Sequence, residues 1–256
     1  HACVNSRGGF YSAKNPDEFA SSLNAALKSI SGSLGGGAGL AANSTQLTTD
    51  STVYQGIFVS GVWTGDLKAF KVDPVSKTVP IDPVTKAPKP VWIASQVLPA
   101  HTARNIKTKG ADNKGNPTLI DFKVIGSLTS AQQTALDGKQ DLVNYLRGDA
   151  SKEEKNAGGI YRSRSTPLGD IVHSQPVYVG APNPNLSQYI GDGHGDFALD
   201  NTSRTPMIYV AANDGMLHAF DAATGAETFA YLPDGVIRSG LKDLANPAYE
   251  HRYFND

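Results

Sequence analysis

A single cysteine, Cys3, stands among the 256 residues, so no disulfide framework can form within the chain. A cysteine upstream of these residues could pair with it, and a lone thiol is the plainer reading. Apolar runs are short as well: nothing approaches the roughly 18 consecutive residues that a membrane-spanning helix needs. Neither sign of charge is in excess, with 23 Lys and Arg against 24 Asp and Glu for a net of −1. Without a Lys/Arg-rich run or an aromatic-basic pattern, general nucleic-acid binding is excluded. Six histidines are present, yet none has the H-E-x-x-H spacing of a zinc hydrolase, and no G-x-S-x-G nucleophile elbow occurs. His173 and Ser174 are adjacent, which in a strand sends them to opposite faces rather than into a catalytic pair. No catalytic, cofactor-binding or metal-ligating residue is therefore assigned, and the chain is expected not to be an enzyme. What remains, 39% hydrophobic and 18% charged residues, suits one large β domain or two ordinary ones with a buried core.

The most informative stretch is 204–233, RTPMIYVAANDGMLHAFDAATGAETFAYLP. Three strand-like runs, at 207–211, 216–221 and 227–232, are separated by Asn213-Asp214-Gly215 and by 222–225, which reads as a meander. Asn-Asp-Gly tolerates the positive φ of a tight hairpin, so Ile208, Val210 and Leu217 are expected to alternate toward a core. From Ala219 to Phe229 the pattern is A-x-D-x-x-T-G-x-x-x-F, in which Asp and Thr bond across the turn and the aromatic packs against a neighbouring sheet.

The pattern recurs. Gly65-Asp66-Leu67-Lys68-Ala69-Phe70 repeats Gly215-Met216-Leu217-His218-Ala219-Phe220, and each copy then reaches an Asp, Asp73 or Asp221, expected to stabilise a turn. The first copy runs through a Pro-rich insertion at 73–90 to Val91-Trp92-Ile93-Ala94, mirroring Thr228-Phe229-Ala230-Tyr231. These units resemble quinoprotein-type β-propeller blades, which usually carry Trp where Phe229 stands. The fold class expected is mainly β: a partial β-propeller of four-stranded antiparallel blades with long inserted loops and short helices, preceded by one amphipathic helix. Surface insertions of this kind add little closure entropy. Two blades cannot close a ring, so the chain is expected to be an excerpt of a longer polypeptide.

In order along the chain, Asn15-Pro16-Asp17-Glu18 caps a helix whose stripe is Phe19, Leu23, Ala26, Leu27 and Ile30. Residues 1–31 read as the last helix of a preceding domain and 32–50 as a Gly-rich linker. Residues 51–256 read as the incomplete propeller: a blade at 53–99, an insertion at 100–172 belonging to neither blade, a second blade at 173–233, and the start of a further element at 234–256. Within the insertion, extended pieces are expected at 104–108 and 119–125, helices at 130–136 and 140–146, and a solvated loop at 151–159. The run 176–179 reads as the innermost strand of the second blade, 183–203 as an inserted loop, 236–244 as a helical turn, and 249–254 as a β start.

Asn213 to Asp221, preceded by Arg162-Ser163-Arg164, Leu168-Gly169-Asp170-Ile171-Val172 and Ser174-Gln175-Pro176 and followed by Glu227, Phe229-Ala230-Tyr231 and Pro233, resembles the PilY/PilC family of type IV pilus biogenesis and tip proteins. The likeness extends to Trp63-Thr64-Gly65-Asp66-Leu67 and Asn144-Tyr145-Leu146-Arg147-Gly148, and residues 11–30 look like the closing helix of a von Willebrand A-like domain. The resemblance implies a protein exported through the periplasm to the outer surface or the pilus tip. There it would support pilus assembly against retraction, surface attachment and twitching motility, with pilins or minor pilins and a host or abiotic surface as partners.

It also implies calcium, held by a loop of alternating Asp and Asn expected beyond Asp256. Two stretches here are candidates: Asp112-Asn113-Lys114-Gly115-Asn116, with Lys114 where an oxygen is required, and Asp192-Gly193-His194-Gly195-Asp196 with Asp200 nearby. The alternative for each is a hydrated loop built on Asx-turns. His218 takes the place of Lys68 and is expected to pack or face solvent, and Asn213-Asp214 either turn the hairpin or touch a partner. Two other functions share the blade motif: a quinone-cofactor dehydrogenase, which needs a closed ring and a calcium-held cofactor, and an outer-membrane scaffold propeller, which needs regular blades of about 40 residues.

Overall fold

The β-branched and aromatic run TVYQGIFV forms a central strand of a first sheet, as such residues do where a pleated surface is covered on both sides. The computed structural model describes residues 37–42 and 51–254 apart from 74, 77 and 192, so the helix expected at 15–30 lies outside the described residues. The first sheet is antiparallel, in the order β1 (Gly37–Ala42), β2 (Thr52–Val59), β3 (Thr64–Lys71) and β4 (Trp92–Ile93), with α1 (Ala94–Val97) following directly. Part of the expected linker is therefore a strand: Gly37 to Ala42 pair with β2, whose edge bonds compensate for weak strand propensity.

The second sheet has six strands. β5 (Ile106–Ala111) and β6 (Pro117–Asp121) form a hairpin, followed by α2 (Ser130–Ala135) and α3 (Gln140–Leu146). Next come β7 (Val177–Val179), α4 (Ser187–Ile190), α5 (His194–Asp200), β8 (Met207–Ala211), β9 (Leu217–Asp221), β10 (Glu227–Leu232) and α6 (Asp234–Arg238). The order is β6-β5-β10-β9-β8-β7, with β5 parallel to β10. The segment 100–172 thus does not stand apart from the blades, because β5 completes the open edge of β10. Two smaller expectations are also corrected: residues 183–203 hold α4 and α5 rather than a plain loop, and 249–254 forms no strand. The loop at 151–159 is largely exposed, as expected, except for Glu153, which is buried against Arg164.

The repeated Asp has one job in both copies. Asp221 Oδ1 accepts from the amides of Ala223 and Thr224 and from the Thr224 hydroxyl, and Asp73 Oδ1 accepts likewise from Val75, Ser76 and the Ser76 hydroxyl. The first copy's aromatic then docks on the second copy's turn. Trp92 Nε1 donates to the Ala222 carbonyl at 3.1 Å, beside the Tyr54 hydroxyl at 3.2 Å, and its ring lies so close to Gly225 that a Cβ there would sit 2.6 Å from it. Gly225 also holds φ +74, a conformation side chains disfavour.

Register decides which residues share the junction. Ile208 stands opposite Phe220 and Val210 opposite His218, and Ala230 pairs with both His218 and Ile106, so all six lie on one face of the second sheet. Leu217, opposite Ala211, points to the other face and is 37% exposed, contrary to expectation. Over β8 and β9 this face meets Tyr54, Leu67, Ala69 and Trp92 of the first sheet. Over β10 and β5 it meets Leu136, Leu142, Val143 and Leu146 of the helical layer. Each fully buried Leu or Phe contributes about 1.5–3 kcal/mol. Equivalent strands thus offer opposite faces to the junction, Leu67 and Ala69 from β3 against Phe220 from β9, as successive wedges of a propeller do.

Candidate functional site

Between the two apolar clusters, on the face they share, lies a chain of buried charges. Arg104, just ahead of β5, and Glu227, the first residue of β10, form a two-pronged pair: Nε donates to Oε2 and Nη2 to Oε1, both at 2.7 Å, with both side chains at most 1% exposed. His218 of β9 sets Nδ1 2.8 Å from Glu227 Oε1 and Nε2 3.1 Å from both oxygens of Asp214. Asp214, in the β8–β9 turn, also accepts from the amides of Gly169 and Met216. Arg104 and Gly169, both distant in sequence, are therefore tied to the 214–227 stretch through the side chains of Asp214, His218 and Glu227.

Burial favours the neutral imidazole, but the Asp214 and Glu227 carboxylates outweigh it and push His218 up to about 9. Burial likewise favours the protonated Glu227, yet Arg104 and then His218 bring it down to about 2. Asp214 is lowered too, against its own burial, by His218. The cluster is thus two cations facing two anions, with no net charge to solvate. Both ring nitrogens of His218 act as donors, so it has no lone pair to offer a metal or a substrate proton. Among the described residues, no group of three or more His, Cys, Asp and Glu side chains is arranged to hold a metal ion. Chemically the arrangement is a staple.

A second buried cluster adjoins it. Asp170, 1% exposed, accepts from Asn213 Nδ2 and lies 2.8 Å from His251 Nε2, while the Asn213 amide donates to the Asp170 carbonyl. His251 stacks under Trp63 with centroids 3.9 Å apart, and the Phe254 amide donates to Asn213 Oδ1. These bonds hold the chain's last described residues in place of the strand expected there. A water-sized cavity of about 20 Å³, bordered by Trp63, Arg162, Gly169, Asn213 and Asp214, touches both clusters.

The residues singled out from sequence fall as follows. Asp112 sits at the β5–β6 tip, where Oδ1 accepts from the amides of Lys114 and Asn116 and Oδ2 from Asn116 Nδ2, an Asx-type turn. Of the other calcium candidate, Asp192 lies outside the described residues, while Asp196 and Asp200 share α5. Asn213 and Asp214 are buried, which supports the hairpin reading and not contact with a partner. His218 is packed as expected, though in a salt-bridged role that Lys68 does not share. Sequence reasoning gives no role to Arg104 and marks Glu227 only as part of the family likeness; the one local signal for its charge pair is an acidic residue opening an otherwise apolar strand.

Residues 168–250 match the family model described as the PilY1 beta-propeller domain. The chain is 41% identical over 254 residues to a type IV pilus biogenesis factor PilY1 homolog of Xylella fastidiosa strain Temecula1, covering 96% of this chain and 19% of that one. It is 35% identical over 286 residues to the type IV pilus biogenesis factor PilY1 of Pseudomonas aeruginosa strain PAK, covering 100% of this chain and 23% of that protein. A second Xylella fastidiosa homolog is 34% identical over 226 residues, covering 76% of this chain and 15% of that one. No solved structure gives a significant match. The chain spans less than a quarter of the length of these relatives. With its repeated blade motif and the Trp92 dock between its two sheets, the chain belongs to the PilY1 family, and residues 168–250 lie in that family's β-propeller domain.

Proposed function

We propose that the chain is the blade-bearing part of a non-enzymatic type IV pilus biogenesis factor. In this reading it acts outside the cell, at the pilus tip or the outer surface, where it supports assembly against retraction, surface attachment and twitching motility. Its partners are pilins or minor pilins and the surface to which the pilus attaches. The observation that carries the reading is the match along nearly the whole chain to proteins named as pilus biogenesis factors. The buried charge cluster agrees with it, since Arg104, Glu227, His218 and Asp214 are consumed in holding the second sheet together. No helix among the described residues is long and apolar enough to cross a membrane.

The test is genetic. In the organism that encodes the chain, deleting residues 168–250 from the chromosomal gene is expected to deplete sheared surface pili and abolish twitching zones, with pili returning when the retraction ATPase is also removed. Unchanged pili and motility in the deletion strain would overturn the reading. So would dye reduction by the purified full-length protein supplied with a quinone cofactor and calcium, the result that a dehydrogenase propeller predicts.

A further inference from the structure

Arg147 is a buried cation that among the described residues has no carboxylate in direct contact, Asp121 and Glu227 acting on it only from further off. The residue follows α3 at its C-terminal end, is 2% exposed, and its guanidinium donates to the backbone carbonyls of His101, Arg104 and Phe122. Among the described residues no carboxylate is in ion-pair contact with it, whereas the neighbouring Arg104 is neutralised by Glu227. Carbonyl oxygens satisfy the hydrogen bonds of a guanidinium without cancelling its unit charge, and a buried charge is costly until it is paired.

Over Arg147 opens a groove of about 310 Å³, lined by Thr102, Asn105, Lys107, Asp121 and Lys123 together with the arginine itself. Lys123 is exposed and makes no ion pair among the described residues. Lys107 pairs with Asp121, but both are substantially exposed, and such a pair contributes little and yields readily to an incoming anion. Three cations thus converge on one concavity against a single acid. Thr102 and Asn105 add neutral polar groups of the kind that orient a ligand once charge has drawn it in.

We propose that this groove binds an anionic ligand through a carboxylate or phosphate group, with room for about one sugar ring. Its volume stands at the lower end of small-molecule sites. The oxyanion sits between the Lys107 and Lys123 ammonium groups, above the Arg147 guanidinium, where charge-assisted hydrogen bonds are strongest. The site is separate from the blade staple and stands whether or not the chain serves pilus assembly.

The experiment titrates the full chain by calorimetry at constant ionic strength with inorganic phosphate, with galacturonate, and with neutral galactose as control. Saturable binding of phosphate or galacturonate, with none for galactose, is expected; phosphate alone points to a phosphorylated group as the source, and galacturonate to an acidic sugar. The K107Q/K123Q variant, altered only at the surface, should bind at least about tenfold more weakly with an unchanged melting temperature. Asp121→Asn should bind more tightly, because it removes the carboxylate that competes for Lys107. Absence of saturable binding by both anions, an unchanged affinity in K107Q/K123Q, or weaker binding in Asp121→Asn would each overturn the proposal.

Discussion

The Trp92 indole of the first sheet donates its N–H to the Ala222 carbonyl of the second, and the same ring closes over Gly225. One side chain thus ties two blades by a hydrogen bond and by shape. Gly225→Ala must hold φ +74 and displace the ring, so it is expected to destabilise the chain by about 1–3 kcal/mol from overpacking alone. Trp92→Phe loses the donor while Ala222 keeps the Tyr54 hydroxyl, a smaller loss of about 1 kcal/mol. Urea unfolding ranks the two, and an undisturbed Gly225→Ala would mean that the ring does not rest there.

Breaking the Arg104–Glu227 pair from one side leaves a carboxylate buried and short of a partner. Arg104→Met is therefore predicted to cost about 3–5 kcal/mol. Because Glu227 also serves His218, the double variant R104M/E227Q should lose less than the sum of its single changes. Additive losses in that cycle would show that the two residues act independently.

The staple also predicts a pH profile. His218 is raised from 6.5 to about 9 in the fold, so its stabilisation is complete below pH 6.5 and drains away as pH rises through 9. Glu227 is lowered from 4.5 to about 2, so its share is complete above pH 4.5 and is lost as pH falls through 2. Stability should peak between those windows. The alkaline decline should be on the order of 3 kcal/mol and should vanish in His218→Gln. Thermal melts across the range check this, and a variant that keeps the alkaline decline would assign it to another group.

Asp112 is predicted to shape its turn rather than bind calcium, since both oxygens already accept bonds within the loop. Asp112→Ala should lower stability slightly, by loosening the turn. The loss should be equal in chelator and in calcium at about 1 mM, where weak extracellular sites fill. A loss seen only with calcium would make the residue a ligand.

Much of this architecture was legible because its signals are local. Asp221-x-x-Thr224-Gly225 and its partner turn at Asp73 bond within four residues, so a pattern in sequence is a structure in space. The strands at 207–211 and 227–232 likewise follow from composition and spacing. Leu217 departs from expectation because the length of one turn sets which face a strand residue takes, and the register across 212–216 puts His218 opposite Val210 instead.

By itself, then, the amino-acid order determined the repeated blade motif, the turn chemistry and the family likeness. Only the tertiary structure decided that β5 joins β10 in parallel, that a Gly-rich stretch becomes an edge strand, and that Arg104, Glu227, His218 and Asp214 meet. The reason is physical: hydrogen bonds within a turn depend on neighbours a few residues away, whereas sheet edges and buried charges find partners wherever the folded chain brings complementary groups together, at separations that leave no periodic trace.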